Sequence, residues 1–230
     1  MDNARLLNLY FSLIAMEFIS LLFGLEFLHI LSNLLAVPLV LFIYLRIVKL
    51  NYKWYFILMM IALYSTDIYH LTVKLELNNL FCAYLNTAAY VILTFFIVKN
   101  MEFKRLKDLD YIFYLSFIIV FCFYLYILYV ANEILLDQKI DNYIIILIYA
   151  LFMFVMSILI TIKYMLKPNI SNTSLQISVA CFIISDVFYL ITIIYNDITV
   201  FKYLFLIPQL TVYYFLLKYE LNRNKIFEIK

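Results

Sequence analysis

Apolar residues run along this chain in long blocks, and the short stretches between the blocks hold most of the charge. A helix needs about 20 mostly apolar residues to cross a bilayer. Read from charge to charge, the blocks predict eight helices, at about 6–27, 28–45, 54–73, 79–98, 111–131, 143–162, 172–195 and 201–217. The fifth and sixth are the cleanest, because neither Tyr111 to Asn132 nor Asn142 to Ile162 contains a charge. Almost nothing joins the first two blocks, so a tight helical hairpin is expected around Glu26 to His29. Pro38 and Pro208 fall inside predicted helices, where membrane bundles tolerate them as kinks. Pro168 falls in the loop before the seventh helix. The expected fold is all-α: a polytopic membrane protein, an eight-transmembrane-helix bundle forming one domain over residues 1–230.

Composition agrees with the pattern. The chain is 67% hydrophobic with a single glycine, Gly24, and its mean hydropathy is +1.00; a soluble domain is nearer half apolar. The 22 Tyr and 22 Phe read first as a mutational bias toward AT-rich codons and second as aromatic belts at the membrane interfaces. The first apolar block contains Glu17 and lacks a small-x-small exit, so it is expected to stay as an uncleaved spanning helix.

Charge sets direction. With both termini cytoplasmic, only Lys74, Lys139 and Lys202 of the 17 basic residues fall outside. The inner segments take the rest, in groups such as Arg46, Lys49 and Lys53, or Lys99, Lys104, Arg105 and Lys107. This asymmetry argues for eight crossings, N-in and C-in, as in a bacterial inner membrane.

Depth then follows from about 1.5 Å of rise per residue. Asp67 in the third helix and Asp186 in the seventh both fall roughly 20 Å from the cytoplasmic edge. Glu17 reaches a similar level, and Asn33, Asn86, Thr87 and Gln209 join the same layer from helices running the other way. Amides and hydroxyls in membrane helices commonly just bond across the bundle, at about 0.6 kcal/mol each. A carboxylate in hydrocarbon costs on the order of 3 kcal/mol or more, so one that is kept there points to function. Asp67 and Asp186 are therefore the candidate catalytic pair, facing a shared polar cavity. Their neighbourhoods also look alike. Ser65-Thr66-Asp67-Ile68-Tyr69 compares with Ser185-Asp186-Val187-Phe188-Tyr189, as a 4+4 parallel repeat would give.

One glycine excludes a Gly-x-Ser-x-Gly elbow, a Walker loop and a dinucleotide fingerprint. His29 and His70 do not make a multi-histidine metal site, and no serine of the polar layer has an obvious histidine partner. Cys82, Cys122 and Cys181 lie far apart within apolar blocks and read as small buried hydrophobes. No metal, cofactor or nucleic-acid partner is expected. What remains is a carboxylate pair in a dry cavity. There one member can hold a proton while the other stays ionised, which suits a reaction through an oxocarbenium ion or a proton relay.

Four landmarks, taken in order, resemble the YhhN-type lysoplasmalogenase family of eight-helix membrane proteins. They are Val37-Pro38-Leu39 in helix two, Thr66-Asp67 in helix three, Ser185-Asp186 in helix seven and Gln209 in helix eight. The stretch Ala180-Cys181-Phe182-Ile183-Ile184-Ser185-Asp186 is similar to the family's helix-seven signature. Departures are Val37 in place of a lysine, Thr66 in place of a glycine and Thr87 in place of a histidine. The resemblance implies hydrolysis of the vinyl ether bond of a lysophospholipid with an alkenyl chain, releasing a fatty aldehyde and a glycerophospho-alcohol. Asp67 and Asp186 would share the acid and base roles, and Gln209 and Asn33 would orient water or glycerol oxygens. Glu17, Asn86 and Thr87 would complete the substrate-binding layer. Two other readings use the same residues: a proton-coupled carrier for a small solute, and a scaffold or sensor domain without chemistry.

Overall fold

The computed structural model describes residues 3–72, 80–101, 111–137, 143–194 and 199–223. Within these the chain forms α1 (Asn3–Phe23), α2 (Glu26–Val48), a one-turn 3-10 helix (Lys49–Asn51), α3 (Trp54–Thr72) and α4 (Leu80–Lys99). There follow α5 (Tyr111–Asp137), α6 (Tyr143–Leu166), α7 (Ile170–Ile194) and α8 (Thr199–Arg223). Among the described residues the fold is all-helical, and five stretches are long and apolar enough to cross a membrane: Arg5–Phe23, Glu26–Val48, Phe81–Lys99, Ile144–Leu166 and Ile170–Tyr189. The apolar runs in α3 (Trp54–Tyr69) and α5 (Phe117–Val130) are shorter. Lys74, Lys104, Arg105, Lys107, Lys139, Lys225 and Lys230 lie outside the described residues, as do the side chains of His70 and Lys202.

Neighbouring helices pack in the order α1, α2, α3, α4, α6, α7, α8, and α8 returns to both α1 and α2. Helix α5 packs on α6 as an appendage to this ring. The outer surface carries large apolar side chains such as Phe27, Leu58, Phe95, Ile119 and Tyr126. Helix α2 turns one face inward. Its buried positions Asn33, Ala36, Val37, Val40, Ile43 and Tyr44 recur at three- and four-residue steps, the spacing that keeps one helical face inward. Pro38 falls on the opposite, exposed face, where its missing N–H and bulky ring disturb no interhelical contact.

The α1–α2 hairpin turns earlier than the charge pattern predicts. Helix α1 ends at Phe23, and Gly24 takes φ +65°. The Leu25 amide reaches back to the Ser20 carbonyl at 2.9 Å, the bond of a glycine-terminated helix. The predicted span to residue 27 is thus cut short, and the turn sits at Gly24 and Leu25 instead of Glu26 to His29. A left-handed residue is cheapest for glycine, so the chain's one glycine marks the corner.

Helix α7 shows how packing is arranged. Ser171, Ser174, Ser178, Ser185 and Thr192 are buried along it at intervals of three, four and seven. Small side chains let helix backbones approach closely, the main source of cohesion where lipid removes the hydrophobic drive. The hydroxyls of Ser174, Ser178 and Thr192 are satisfied on their own helix, as where Ser174 donates to the Ile170 carbonyl at 2.8 Å, and that of Ser171 crosses to α8, donating to the Tyr219 carbonyl at 3.1 Å.

Where α3 begins and α8 ends, a charged cluster is clamped between rings. Glu220 is 0% exposed, accepts the Tyr55 hydroxyl at 2.8 Å and lies 3.8 Å from the Arg223 guanidinium. Arg223 also donates to the Tyr55 hydroxyl and sits over the rings of Tyr55, Phe96 and Tyr219 at 5.5, 5.7 and 5.9 Å. Burial is the largest single influence and would lower the Arg223 pKa, but the Glu220 carboxylate together with Tyr219 and Tyr55 outweighs it, and the net direction is upward.

Candidate functional site

A cavity of about 430 Å³ opens among α1, α2, α3, α7 and α8. Its polar wall is made by Asp67, Gln209, Asn33, His29 and Glu26; Leu71, Phe205 and Leu206 give it an apolar side. The Gly24–Leu25 corner lines one end. A space of this size suits a small amphiphile or part of a lipid.

Asp67 is 5% exposed, and each of its oxygens has a donor from α8: the Gln209 side-chain amide on Oδ1 and the Tyr213 hydroxyl on Oδ2. Gln209 and Tyr213 are four residues apart and so share one face of α8. Asp186 is held differently. The hydroxyls of Tyr90 on α4, at 2.9 Å, and Tyr149 on α6 converge on Oδ2. The two rings stack with centroids 5.4 Å apart and an interplanar angle of 16°. Asp186 is not among the residues lining the 430 Å³ cavity.

The two aspartates are nonetheless joined by a polar bridge. Thr66, next to Asp67, donates to the Asn86 side-chain carbonyl at 3.0 Å, and the Asn86 amide is a partner of the Tyr149 hydroxyl that bonds Asp186. Thr87 is turned to its own helix, donating to the Ala83 carbonyl at 2.6 Å. Glu17 and Asn33 meet at the α1–α2 hairpin, where the Asn33 amide lies 3.2 Å from Glu17 Oε2.

Five partners escaped the sequence reading. His29 Nδ1 lies 2.7 Å from Glu17 Oε1, and Ser32 donates to Oε2 of the same carboxylate. A glycine corner folds residues before it onto residues after it, so Gly24 between Glu17 and His29 was the available signal. Tyr90, Tyr149 and Tyr213 were hidden among 22 tyrosines. For Tyr90 and Tyr213 the signal was an amide four residues earlier, Asn86 and Gln209. Among the described residues no cluster of His, Cys, Asp and Glu has the make-up of a metal site.

The fold and site define an all-helical chain with membrane-length helices and a carboxylate-bearing cavity between them. No protein family, curated protein or solved structure matches the chain.

Proposed function

We propose that this chain is an eight-span integral membrane protein, N-in and C-in in a bacterial inner membrane, that hydrolyses the vinyl ether bond of a lysoplasmalogen-type lipid. The observation that carries the reading is Asp67, a buried carboxyl group held at both oxygens on the wall of a cavity with one polar and one apolar side. An acid there protonates the vinyl carbon, the resulting oxocarbenium ion takes up water, and the hemiacetal collapses to fatty aldehyde and glycerophospho-alcohol. Fixed donors hold the acid in one orientation, which favours proton transfer to one carbon. Asp186, linked through Tyr149, Asn86 and Thr66, is the second carboxylate of the pair. The motif resemblance to YhhN-type lysoplasmalogenases supports the same substrate.

A 4+4 parallel repeat accompanies this reading. The packing pairs α1 with α2, α2 with α3, α3 with α4 and α2 with α8 correspond to α5 with α6, α6 with α7, α7 with α8 and α6 with α4. Under that correspondence Asn86 and Tyr90 on α4 match Gln209 and Tyr213 on α8.

The deciding experiment is release of fatty aldehyde from a 1-alkenyl lysophospholipid by the purified full chain. Turnover by wild type that falls at least about 100-fold in Asp67→Asn, the scale of a lost general acid, supports the reading. Undiminished turnover by the Asp67→Asn/Asp186→Asn double variant overturns it.

The Thr66–Asn86–Tyr149 bridge favours one alternative, a proton relay in a carrier. Solute uptake into proteoliposomes that depends on a pH gradient, without aldehyde release, would select that reading.

A further inference from the structure

We infer that Glu17 and His29 form a carboxylate–imidazole dyad whose Nε2 activates the attacking water in the α1–α2–α3–α7–α8 cavity. The inference rests on the hydrolytic reading and adds to it a base from the first two helices. Glu17 is 0% exposed, while the His29 side chain keeps 31% of its surface and lines the cavity that also holds Asp67.

The arrangement separates two jobs. Glu17 Oε2 is occupied by Ser32 and Asn33, which fixes the carboxylate between α1 and α2. Its Oε1 is left to His29 Nδ1, and a carboxylate on one ring nitrogen fixes the tautomer and orientation of the imidazole. Among the described residues Nε2 has no hydrogen-bond partner, so the ring is anchored at one nitrogen and unengaged at the other. A hairpin pin would be complete with Ser32 and Asn33. The third partner adds a titratable ring to a cavity wall.

The reaction balances with these groups. Asp67 gives its proton to the vinyl carbon, and the double-bond electrons form that C–H bond, leaving the oxocarbenium ion. Water adds its oxygen to the cationic carbon while Nε2 takes one water proton, giving the hemiacetal. The bond from that carbon to the glycerol oxygen then breaks, His29 returns its proton to the leaving oxygen, and the remaining hydroxyl proton goes to Asp67. One water is consumed, and both residues end as they began.

The test uses the full-length protein in detergent with a 1-alkenyl-glycerophosphoethanolamine, and binding of the non-hydrolysable 1-alkyl analogue as a control for the site. For His29→Ala, kcat should fall about 100-fold or more, with analogue binding within about threefold of wild type. Added imidazole should restore part of the rate, a rescue that a structural pin would not show. Glu17→Gln should lower kcat about tenfold or more and move the pH dependence of kcat, with the facing charged groups being Glu26 on α2 and Asp67 on α3. If His29→Ala does not fold, His29→Gln keeps an amide for Glu17 and carries the same expected loss of kcat. A His29 variant that turns over within threefold of an active wild type overturns the dyad and leaves the hydrolase standing. A wild type that binds the analogue yet releases no aldehyde overturns both.

Discussion

Tyr213 on α8 and Tyr90 on α4 each donate a hydrogen bond to an aspartate on a helix distant in sequence, Tyr213 to Asp67 on α3 and Tyr90 to Asp186 on α7. Each tyrosine follows an amide by one helical turn, Gln209 in one case and Asn86 in the other. The amides differ in use. Gln209 bonds Asp67 itself, whereas Asn86 bonds Thr66 and Tyr149 and so links the two sites.

The Tyr213–Asp67 bond should appear as a coupling. Removing a donor from a buried acidic acceptor costs about 1–3 kcal/mol. Tyr213→Phe, Asp67→Asn and the double variant, unfolded in SDS, should give an interaction energy of at least about 1 kcal/mol. Additive losses would mean that the two groups do not bond.

The Glu220–Arg223 clamp should be worth more broken on one side than removed whole. Glu220→Ala leaves the half-buried Arg223 guanidinium without its carboxylate, a loss of about 3–5 kcal/mol. Glu220→Leu/Arg223→Leu should recover most of it, because the desolvation of both charges disappears together. Thermal denaturation of the two variants side by side checks the order.

Gly24 should tolerate a side chain for space and resist it for conformation. A Cβ built there meets nothing within 4 Å, but φ is +65°, which costs an L-residue about 1–2 kcal/mol. Gly24→Ala should lose about that much stability and Gly24→Asn less, since asparagine accepts the left-handed region. Equal losses for both would place the cause elsewhere.

Topology should be readable by thiol labelling. In a chain freed of Cys82, Cys122 and Cys181, Leu25→Cys at the α1–α2 corner and Asn51→Cys after α2 are both exposed. They should react with a membrane-impermeant maleimide from opposite faces of intact vesicles, Asn51→Cys from the cytoplasmic side. Labelling of both from one face would end the N-in, C-in reading.

Much of the fold was legible because membrane-length helices advertise themselves locally. The run from Tyr143 to Ile162 needs only its own residues to be apolar, although the helix continues through Lys163 to Leu166, one turn past the point where charge begins. The α1–α2 corner was misplaced because charge was read as punctuation, when the left-handed turn depends on Gly24 alone. Asp67, Asp186, Gln209 and Asn33 stood out because a polar group among apolar neighbours is conspicuous in any sequence. His29 did not stand out, since a histidine near a helix start is ordinary until its carboxylate is known.

The sequence by itself determined that the chain is helical, that several helices have membrane length, and which polar residues sit at odds with their surroundings. Those are properties of composition and local order. Only the tertiary structure decided who holds whom: that Asp67 shares a cavity with His29, Asn33 and Gln209, and that Asp186 rests on two stacked tyrosines. The reason is that helical periodicity fixes which residues share a face. Which face meets which neighbour depends on the order in which α8 closes back onto α1 and α2, and no single helix carries that information.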